Sequence, residues 1–590
     1  MIKSRKTSNG SSVPNRIYVG NTDPDSFKDF DLIQIQKDSW QKFLDKEIQS
    51  ILKEFFPIED YTKKNFLLEL LDIEYGEPRF TEEDCIDRKL SYQFPVYIKV
   101  KLINKRTGKE KTQNVYFFNL PRMTDRGTFI VNGIERAVIS QIVRAPGVYF
   151  TAEADKNTGA TVYNAEVRPY IGAWLDFTIS KHNTIEAKIN KKRKFYVTSL
   201  LRTFKNLPDN ELIKLFSGLS PDQINKYILP TLEKDGPRNR DEAIIEIYKK
   251  LRPGEPLVLA TATETLKNLF FNPRRYTLSD IGRYKMNRKF GESKPLDEDH
   301  VVLSLDDIVN IITYLVNLTD GKGMFDDIDH LANRRLRTVG ELVGMYGVRV
   351  GMVRTERDIK SRMSMTSAEE EVAPSQVINS KSLVSTTNSF YRTSQLSTIV
   401  DQTNPLSEAD NLRRLTVGGP GGIKKERASF SIRDITPSQY GRICPIRSPE
   451  GTNIGVVTYL ALYARINRFG FLETPYKKVV TKKEGSKDVT YVTDEIVYLQ
   501  ADDEEKVCIT HNGVALDSKG KVLDERVTAR FKGDITEIPA SKIDYMDMSP
   551  RQVFGLSAAT IPFLQHDDAQ RALMGSHMMC QAVPLSLIHI

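Results

Sequence analysis

The sequence predicts a multidomain α+β protein in which helices mix with antiparallel sheets. Its 590 residues exceed the ~250–300 at which a single hydrophobic core stops growing, so several domains are expected. Two strand-like runs, FPVYIKVKLI and NVYFFNL, flank the turn-forming NKRTGKE and read as a hairpin. Apolar residues recur at helical spacing in LIQIQKDSWQKFLDKEIQSILKEF (32–55), and helices dominate again from about Ile213 to Leu318.

Taken in order, residues 1–28 are rich in Ser, Asn, Gly and Pro and read as a mobile arm. Asp38 or Ser39 suits the N-cap of the helix over 32–55. Mixed helix and strand continue to Phe150. The polar loop ADKNTGA then leads into short strands in AEVRPYIGAWLDFTIS and TIEAKINKKRKF, and Pro230, Pro237, Pro253 and Pro256 punctuate the helices beyond. RTERDIKSRMS (354–364) reads as a basic helix. From Leu472 to Pro550, KKEGSKD and ADDEEK mark a charged, turn-rich, antiparallel β module. No internal repeat is present.

The bulk composition is globular: 40% hydrophobic, 27% charged, net charge +8, pI near 8.9. Such mild basicity is compatible with a nucleic-acid partner without requiring one. Cys85, Cys444, Cys508 and Cys580 stand singly with no CxxC spacing, which argues against a zinc site or a disulfide scaffold and fits a reducing compartment. No apolar run reaches the ~18–20 residues of a membrane span, and the N-terminus has no signal-peptide core, so a soluble cytoplasmic protein is expected.

Charge concentrates in one place. From Arg413 to Arg447 there are eight Lys/Arg against two acids, Glu426 and Asp434. Arg413 and Arg414 lead into Gly418-Gly419-Pro420-Gly421-Gly422, and Lys424, Lys425 and Arg427 follow. A glycine loop bracketed by cations suits a polyanion, because glycine lets backbone approach while cations neutralise phosphate. From charge alone a solvated face is the commoner reading. The loop is not a P-loop, since no Gly-Lys-Ser/Thr ends it and Pro420 lacks an amide. SFSIRD, just beyond, alternates like a strand.

Other candidates carry two readings each. Asp567 and Asp568 beside His566 are the tempting metal cluster, yet adjacent helical residues point ~100° apart and share one metal poorly. Asp568 and Arg571 would share a helical face as an intrahelical salt bridge. Trp174 is by type a core or interface residue more often than a base-stacking one. Asp401 fits a turn cap before Asn404-Pro405.

Long motifs then point to a family. NPLSE (404–408), RRLTVGGPGG (413–422), CPIRSPEGTNIG (444–455), PRMTDRGTFIVNGIERAVISQIVRAPGVYF (121–150), DIDHLANRRLRTVGEL (327–342) and IPFLQHDDAQRALMGSHMMCQAVP (561–584) resemble, in order, motifs of the bacterial-type DNA-directed RNA polymerase β subunit. The resemblance runs from about Asp31 to Pro584. It implies a protrusion over 29–150 and 335–393, an inserted lobe over 151–334, and a fork with RNA channel over 394–471. An external β module over 472–550 and the start of the active-centre module over 551–584 follow, with 585–590 a non-native or truncated tail. The expected protein is thus the N-terminal portion of a longer subunit, inactive alone. It would work in templated RNA synthesis with β′, the α dimer, omega and sigma factor on promoter DNA, the RNA–DNA hybrid and ribonucleoside triphosphates, in the bacterial cytoplasm near the nucleoid. The alternative is a truncated, non-catalytic nucleic-acid-binding scaffold of the same ancestry.

The resemblance also implies roles. No catalytic or metal residue falls on this chain, because the Mg²⁺ carboxylates belong to β′. Asp568, Arg571 and Gln581 would contact nucleotide and the active centre, with His577 standing where the family commonly has asparagine. Thr398, Asp401, Asn411, Arg414, Thr416, Pro449, Glu450 and Asn453 would line the RNA channel and rifamycin pocket. Arg413, Gly419, Gly421, Lys424, Lys425 and Arg427 would form the fork loop on DNA, its glycines allowing movement. Arg144, Trp174, Ile328, Asp329 and Arg334 would capture a non-template base, with Asn190 replacing a family aspartate. Thr398, Asn411 and Thr416 replace the usual glutamine, histidine and serine of the drug pocket. Lost polar contacts weaken a ligand built around them, so a polymerase containing this chain is predicted to be weakly inhibited by rifamycin with RNA synthesis intact. Drug titration of the reconstituted enzyme checks this, and inhibition at ordinary low concentrations contradicts it.

Overall fold

The computed structural model describes residues 31–583 except 155–158, 298–299, 367–371, 485–486 and 518–519. The arm expected over 1–28 and the tail over 585–590 lie outside the described residues. A helical run opens with Gln34–Lys42 (α1) and continues through Phe43–Glu47 and Ile48–Phe55. It starts earlier than the predicted caps, where Asp31 Oδ1 accepts the Ile33 amide at 3.0 Å. Ser39 therefore lies inside the helix and docks it: its hydroxyl reaches Thr338 Oγ1 (2.7 Å) and accepts the Gly340 amide (3.0 Å). Trp40, Phe43, Ile48 and Leu52 are buried on its inner face.

Ile58–Glu59 (β1), Phe66–Tyr75 (β2), Gln93–Asn104 (β3) and Glu110–Pro121 (β4) form an antiparallel sheet in that order. β3 and β4 are the predicted hairpin, closed where Asn104 Oδ1 accepts the amides of Arg106 (3.0 Å) and Thr107 (3.2 Å). Phe129–Val131 (β5), Ile134–Val138 (β6) and Ser140–Arg144 (β7) follow.

A second sheet is built from Gly147–Ala154 (β8), Thr161–Arg168 (β9), Leu175–Ile179 (β10), Ile185–Ile189 (β11) and Phe195–Tyr196 (β12), each antiparallel to its neighbour. Helices between 197 and 319 share its core through Phe177, Ile185, Leu200, Ile247 and Ile312. Two of them, Ser279–Phe290 (α2) and Leu305–Thr319 (α3), are joined by a fully buried pair. Arg283 donates to both oxygens of Asp307 at 2.8 and 2.9 Å, and Lys294 adds a third donor at 2.8 Å.

The chain then returns as Arg334–Arg337 (β13), passes through the helices Val350–Met365 (α4) and Lys381–Thr393 (α5), and adds Ser397–Ile399 (β14), Arg414–Thr416 (β15) and Val457–Tyr459 (β16). α4 contains the expected basic helix. The order β13-β7-β15-β16 makes a central sheet in which β15 runs parallel to β7 and the other pairs are antiparallel. Four segments far apart in sequence thus meet on one surface, and β14 pairs separately with β6.

Arg465–Ile466 (β17), Leu472–Glu484 (β18), Lys487–Gln500 (β19), Ile509–Thr510 (β20), Arg526–Phe531 (β21), Asp534–Pro539 (β22) and Tyr545–Asp547 (β23) form the β module. It is not wholly antiparallel as expected, because β20 and β23 run parallel. The β21–β22 hairpin leaves the chain running as β20 does, and the turn Ala540–Lys542 carries it across in that direction. Arg442, fully buried, fastens the module by donating to the carbonyls of Ser438 (3.2 Å), Leu472 (3.2 Å) and Leu499 (2.9 Å) and pairing with Glu504 (2.6 Å).

Burial works to raise the Asp307 carboxyl, yet the Arg283 and Lys294 donors outweigh it and hold it down to about 2. A carboxyl depressed on folding contributes stability above its unfolded value near 4 and loses it as pH falls through the folded one. The 147–337 region is therefore predicted to lose of the order of 2 kcal/mol between about pH 4 and pH 2 through this group. Asp307→Asn should lower the melting point at pH 7 and flatten the acid limb. Thermal unfolding against pH checks this, and an unchanged acid limb in the variant contradicts it.

Candidate nucleic-acid and nucleotide interface

Two helices distant in sequence, Pro405–Leu412 (α6) and Ala569–Gln581 (α7), are held together by one asparagine. Asn404 Oδ1 accepts the Ser407 amide (2.7 Å), capping α6, while its Nδ2 donates to the carbonyls of Met579 (3.1 Å), Cys580 (3.1 Å) and Ala582 (2.8 Å) at the end of α7. Helix ends carry unpaired amides and carbonyls, and this side chain satisfies both kinds.

Behind it lies a buried ion pair. Asp410 on α6 is 3% exposed and Arg447 is 7% exposed, and Arg447 donates through Nη2 (3.0 Å) and Nε (3.2 Å) to Asp410 Oδ2. Ser557 Oγ donates to the other oxygen at 3.2 Å, and Cys580 Sγ on α7 stands 3.6 Å from Oδ2. The Arg447 guanidinium also sits 4.7 Å from the Tyr459 ring centroid on β16. Burial, and then the Asp410 charge, push the Cys580 thiol up to about 11, so it remains a protonated donor. α6, α7, β16, the helix Leu556–Ala559 and the Arg447 loop thus converge on one carboxylate. None of Asp410, Arg447, Ser557 and Cys580 stood out as functional in the sequence.

On α7, Asp568 is the N-cap and accepts the Gln570 amide at 3.2 Å. The Asp568–Arg571 salt bridge read from the sequence does not form, the carboxylate being turned to the Gln570 amide instead. Arg571 is exposed, and the contact of its guanidinium is with Met574 Sδ at 3.8 Å. Gln581 is exposed in the last turn, and His577 Nδ1 lies 3.7 Å from Glu450 Oε1. Among the described residues no group of three or more His, Cys, Asp or Glu is placed to hold a metal.

The glycine loop is pinned where free movement was expected. Gln141 Nε2 on β7 donates to the carbonyls of Gly418 and Pro420, both at 2.9 Å, and Tyr346 OH donates to Pro420 O at 2.7 Å. Gly421 has φ +70°, and a Cβ there would lie 2.6 Å from the Tyr346 hydroxyl. The glycines serve a tight, anchored turn. Lys424, Lys425 and Arg427 lie just beyond it and are exposed.

Arg413 departs from its expected role on DNA. It is 3% exposed and its guanidinium is spent on the carbonyls of Leu32 (2.7 Å), Ala461 (2.5 Å) and Leu462 (3.1 Å). Burial, only partly countered by Asp410, holds it down to about 10. SFSIRD also departs: Phe430–Arg433 is a helical turn, tied down by Arg433 donating to the carbonyls of Thr452 (2.9 Å) and Ile454 (2.7 Å). Its alternation finds no partner strand: Ile432 packs against the core that holds Leu415 and Val456, while Phe430 is 88% exposed.

The expected channel residues fall on adjoining elements. Thr398 lies on β14, whose partner β6 supports α6; Asn411 lies on α6; Arg414 and Thr416 lie on β15. Thr416 Oγ1 accepts the Gly418 amide at 3.1 Å. Asp401 makes the predicted turn, accepting the Thr403 amide (3.1 Å) and hydroxyl (2.6 Å). Pro449, Glu450 and Asn453 share the loop that Glu450 brings beside α7. Arg414 Nε and Asn453 Oδ1 are buried with no hydrogen-bond partner from the described residues.

The expected base-capture residues gather at the far end of the central sheet. Arg334 on β13 pairs in register with Arg144 on β7. Glu166 on β9 lies 3.4 Å from Arg144 and 2.9 Å from Arg168, whose guanidinium sits 4.4 Å from the Trp174 ring centroid. Burial, then the Arg168 charge, hold Arg144 down to about 10. Arg334 is lowered by burial, with Asp329 opposing, and Ile328 is half-buried beside Asp329. Asn190 anchors the tryptophan loop: its Oδ1 accepts the Trp174 amide (2.8 Å) and its own amide donates to Trp174 O (2.9 Å). Arg168 and Glu166 are additions that the sequence reading missed.

Comparison with known families gives the class first. The model described as "RNA polymerase Rpb2, domain 2" matches residues 144–337, "RNA polymerase Rpb2, domain 3" matches 398–466, and "RNA polymerase beta subunit external 1 domain" matches 476–549. Proteins named DNA-directed RNA polymerase subunit beta are similar over nearly the whole chain. That of Syntrophomonas wolfei is 45% identical over 94% of this chain, that of Gloeobacter violaceus 44% over 94%, and that of a Nocardioides species 43% over 91%. The chain belongs to the RNA polymerase β-subunit family. It spans about half the length of these curated relatives, 46–48%.

Proposed function

We propose that this chain serves as a β-subunit portion of a DNA-directed RNA polymerase, acting in templated RNA synthesis from ribonucleoside triphosphates with release of pyrophosphate. The observation that carries this reading is the cluster around Asp410. It sets α7, with exposed Arg571 and Gln581, against the elements bearing Arg414, Glu450 and Asn453.

In this reading Arg571 meets the triphosphate of the incoming nucleotide, since a guanidinium pairs with phosphate oxygens through a rigid fork of donors. Asp568 fixes the start of α7 and so the place of Arg571. Arg414 and Asn453 donate to RNA backbone oxygens, positioning without reading sequence. Lys424, Lys425 and Arg427 hold DNA phosphates from an anchored loop. Arg144, Trp174, Asp329 and Arg334 receive an unpaired non-template base. Gln581 stands near the RNA 3′ end.

Two-metal nucleotidyl transfer needs converging carboxylates, and α7 itself carries none, Asp568 serving as its N-cap. By the family resemblance the Mg²⁺ would be held by carboxylates of a β′ partner, where it would stabilise charge on the transferring phosphoryl group. The α dimer, omega and sigma complete the assembly, in the bacterial cytoplasm at the nucleoid. Among the described residues no helix is long and apolar enough to cross a membrane.

In a polymerase reconstituted with a full-length subunit carrying these residues, Arg571→Ala is predicted to cut kcat/KM for nucleotide addition at least about tenfold. That is the scale of a lost charge-assisted contact of about 1.5–3 kcal/mol. Template binding should be unchanged. Single-nucleotide extension kinetics check this, and wild-type kcat/KM in the variant contradicts the reading.

A further inference from the structure

The indole of Trp174 is already covered. The Arg168 guanidinium carbon lies 4.4 Å from its ring centroid, and Lys191 Nζ lies 5.6 Å away. Arg168 is steadied by Glu166 at 2.9 Å, the same carboxylate that Arg144 approaches at 3.4 Å. The arrangement is built on both sides. Asn190 and Lys191 adopt left-handed backbone (φ +49° and +60°), and Asn190 clamps the Trp174 backbone by two hydrogen bonds. Arg168 Nε is buried without a hydrogen-bond partner, so part of the guanidinium is desolvated against the ring. A cation over an aromatic face gains strength as water is excluded, and it occupies the surface on which a base stacks.

We propose that Arg168 is an internal cap on the Trp174 face, competing with an incoming unpaired nucleobase and setting how tightly the site holds a single strand. This deepens, and rests on, the reading of the Trp174 region as a base site. Binding is then an exchange. Arg168 leaves the ring while its Nη2 keeps Glu166, and the base takes the indole. Arg168 is a positioning and specificity residue, since its effect on the base passes through Trp174.

The test uses the whole chain and a labelled single-stranded DNA, either with a central guanine or abasic at that position. Fluorescence anisotropy at fixed salt gives both affinities. Their ratio isolates the base contribution, because the phosphate attraction that Arg168 also supplies cancels. Trp174 quenching gives a second readout. The chain has two tryptophans, and the other, Trp40, is 5% exposed in the core.

Arg168→Ala should raise the guanine-to-abasic affinity ratio roughly three- to tenfold. Arg168→Lys, which keeps the charge and loses the planar group, should fall between, and it serves if the alanine variant does not fold. Trp174→Ala should lower the ratio steeply, since it removes the stacking face. A ratio unchanged or lowered by both Arg168 variants, while Trp174→Ala still collapses it, overturns the cap and leaves the base site standing. A ratio of one in the unaltered chain, insensitive to Trp174→Ala, overturns the base site and the cap with it.

Discussion

The buried pairing of Asp410 with Arg447 is the constraint on which the candidate interface depends. Taking both charges out of water is costly, and the cost is offset only because the carboxylate collects four donors: two from Arg447, the Ser557 hydroxyl and the Cys580 thiol. Those donors come from three separate stretches of chain. Through the Cys580 thiol the pair ties α7 to α6. Asn404 completes the joint at the surface by serving a helix start and a helix end together. Arg571, Gln581 and His577 on α7 owe their positions to that joint.

A second device separates anchoring cations from exposed ones. Arg413 and Arg442 are buried and bound to backbone carbonyls, so they hold strands and loops together. Lys424, Lys425 and Arg427 stand in solvent beyond a turn that Gln141 and Tyr346 fasten from beneath. Phosphate attraction requires the second kind of cation, and rigidity of the platform requires the first. The same division appears around Trp174, where Asn190 clamps the loop while Arg168 covers the ring.

Much of this was legible in the sequence, and the exceptions share a cause. The hairpin of β3 and β4, the basic helix within α4 and the mixed fold follow from local periodicity, which side-chain spacing reports directly. The motifs at 404–455 and 561–584 marked out the candidate interface, and a matching family model spans the first of them. What local reading could not give were the partners of side chains distant in sequence. Arg413 looks like Arg414 in a run of cations, and only the carbonyls of Leu32, Ala461 and Leu462 separate them. Ser39 looked like a cap because its true partners, Thr338 and Gly340, lie in a distant segment. SFSIRD alternated like a strand, but no neighbouring strand was there to pair with it. Glu166 and Arg168 were invisible for the same reason, since their importance arises where β9 meets β7 and the tryptophan loop.

The central claim is that Asp410 and Arg447 act as one unit that locks α7 to α6. A double-mutant cycle with Asp410→Asn and Arg447→Met, read by denaturant unfolding, tests it most directly. Each single variant strands a buried charge or a buried donor set, while the double variant removes both, so the account predicts a coupling energy above about 2 kcal/mol. Additivity within about 0.5 kcal/mol would contradict it.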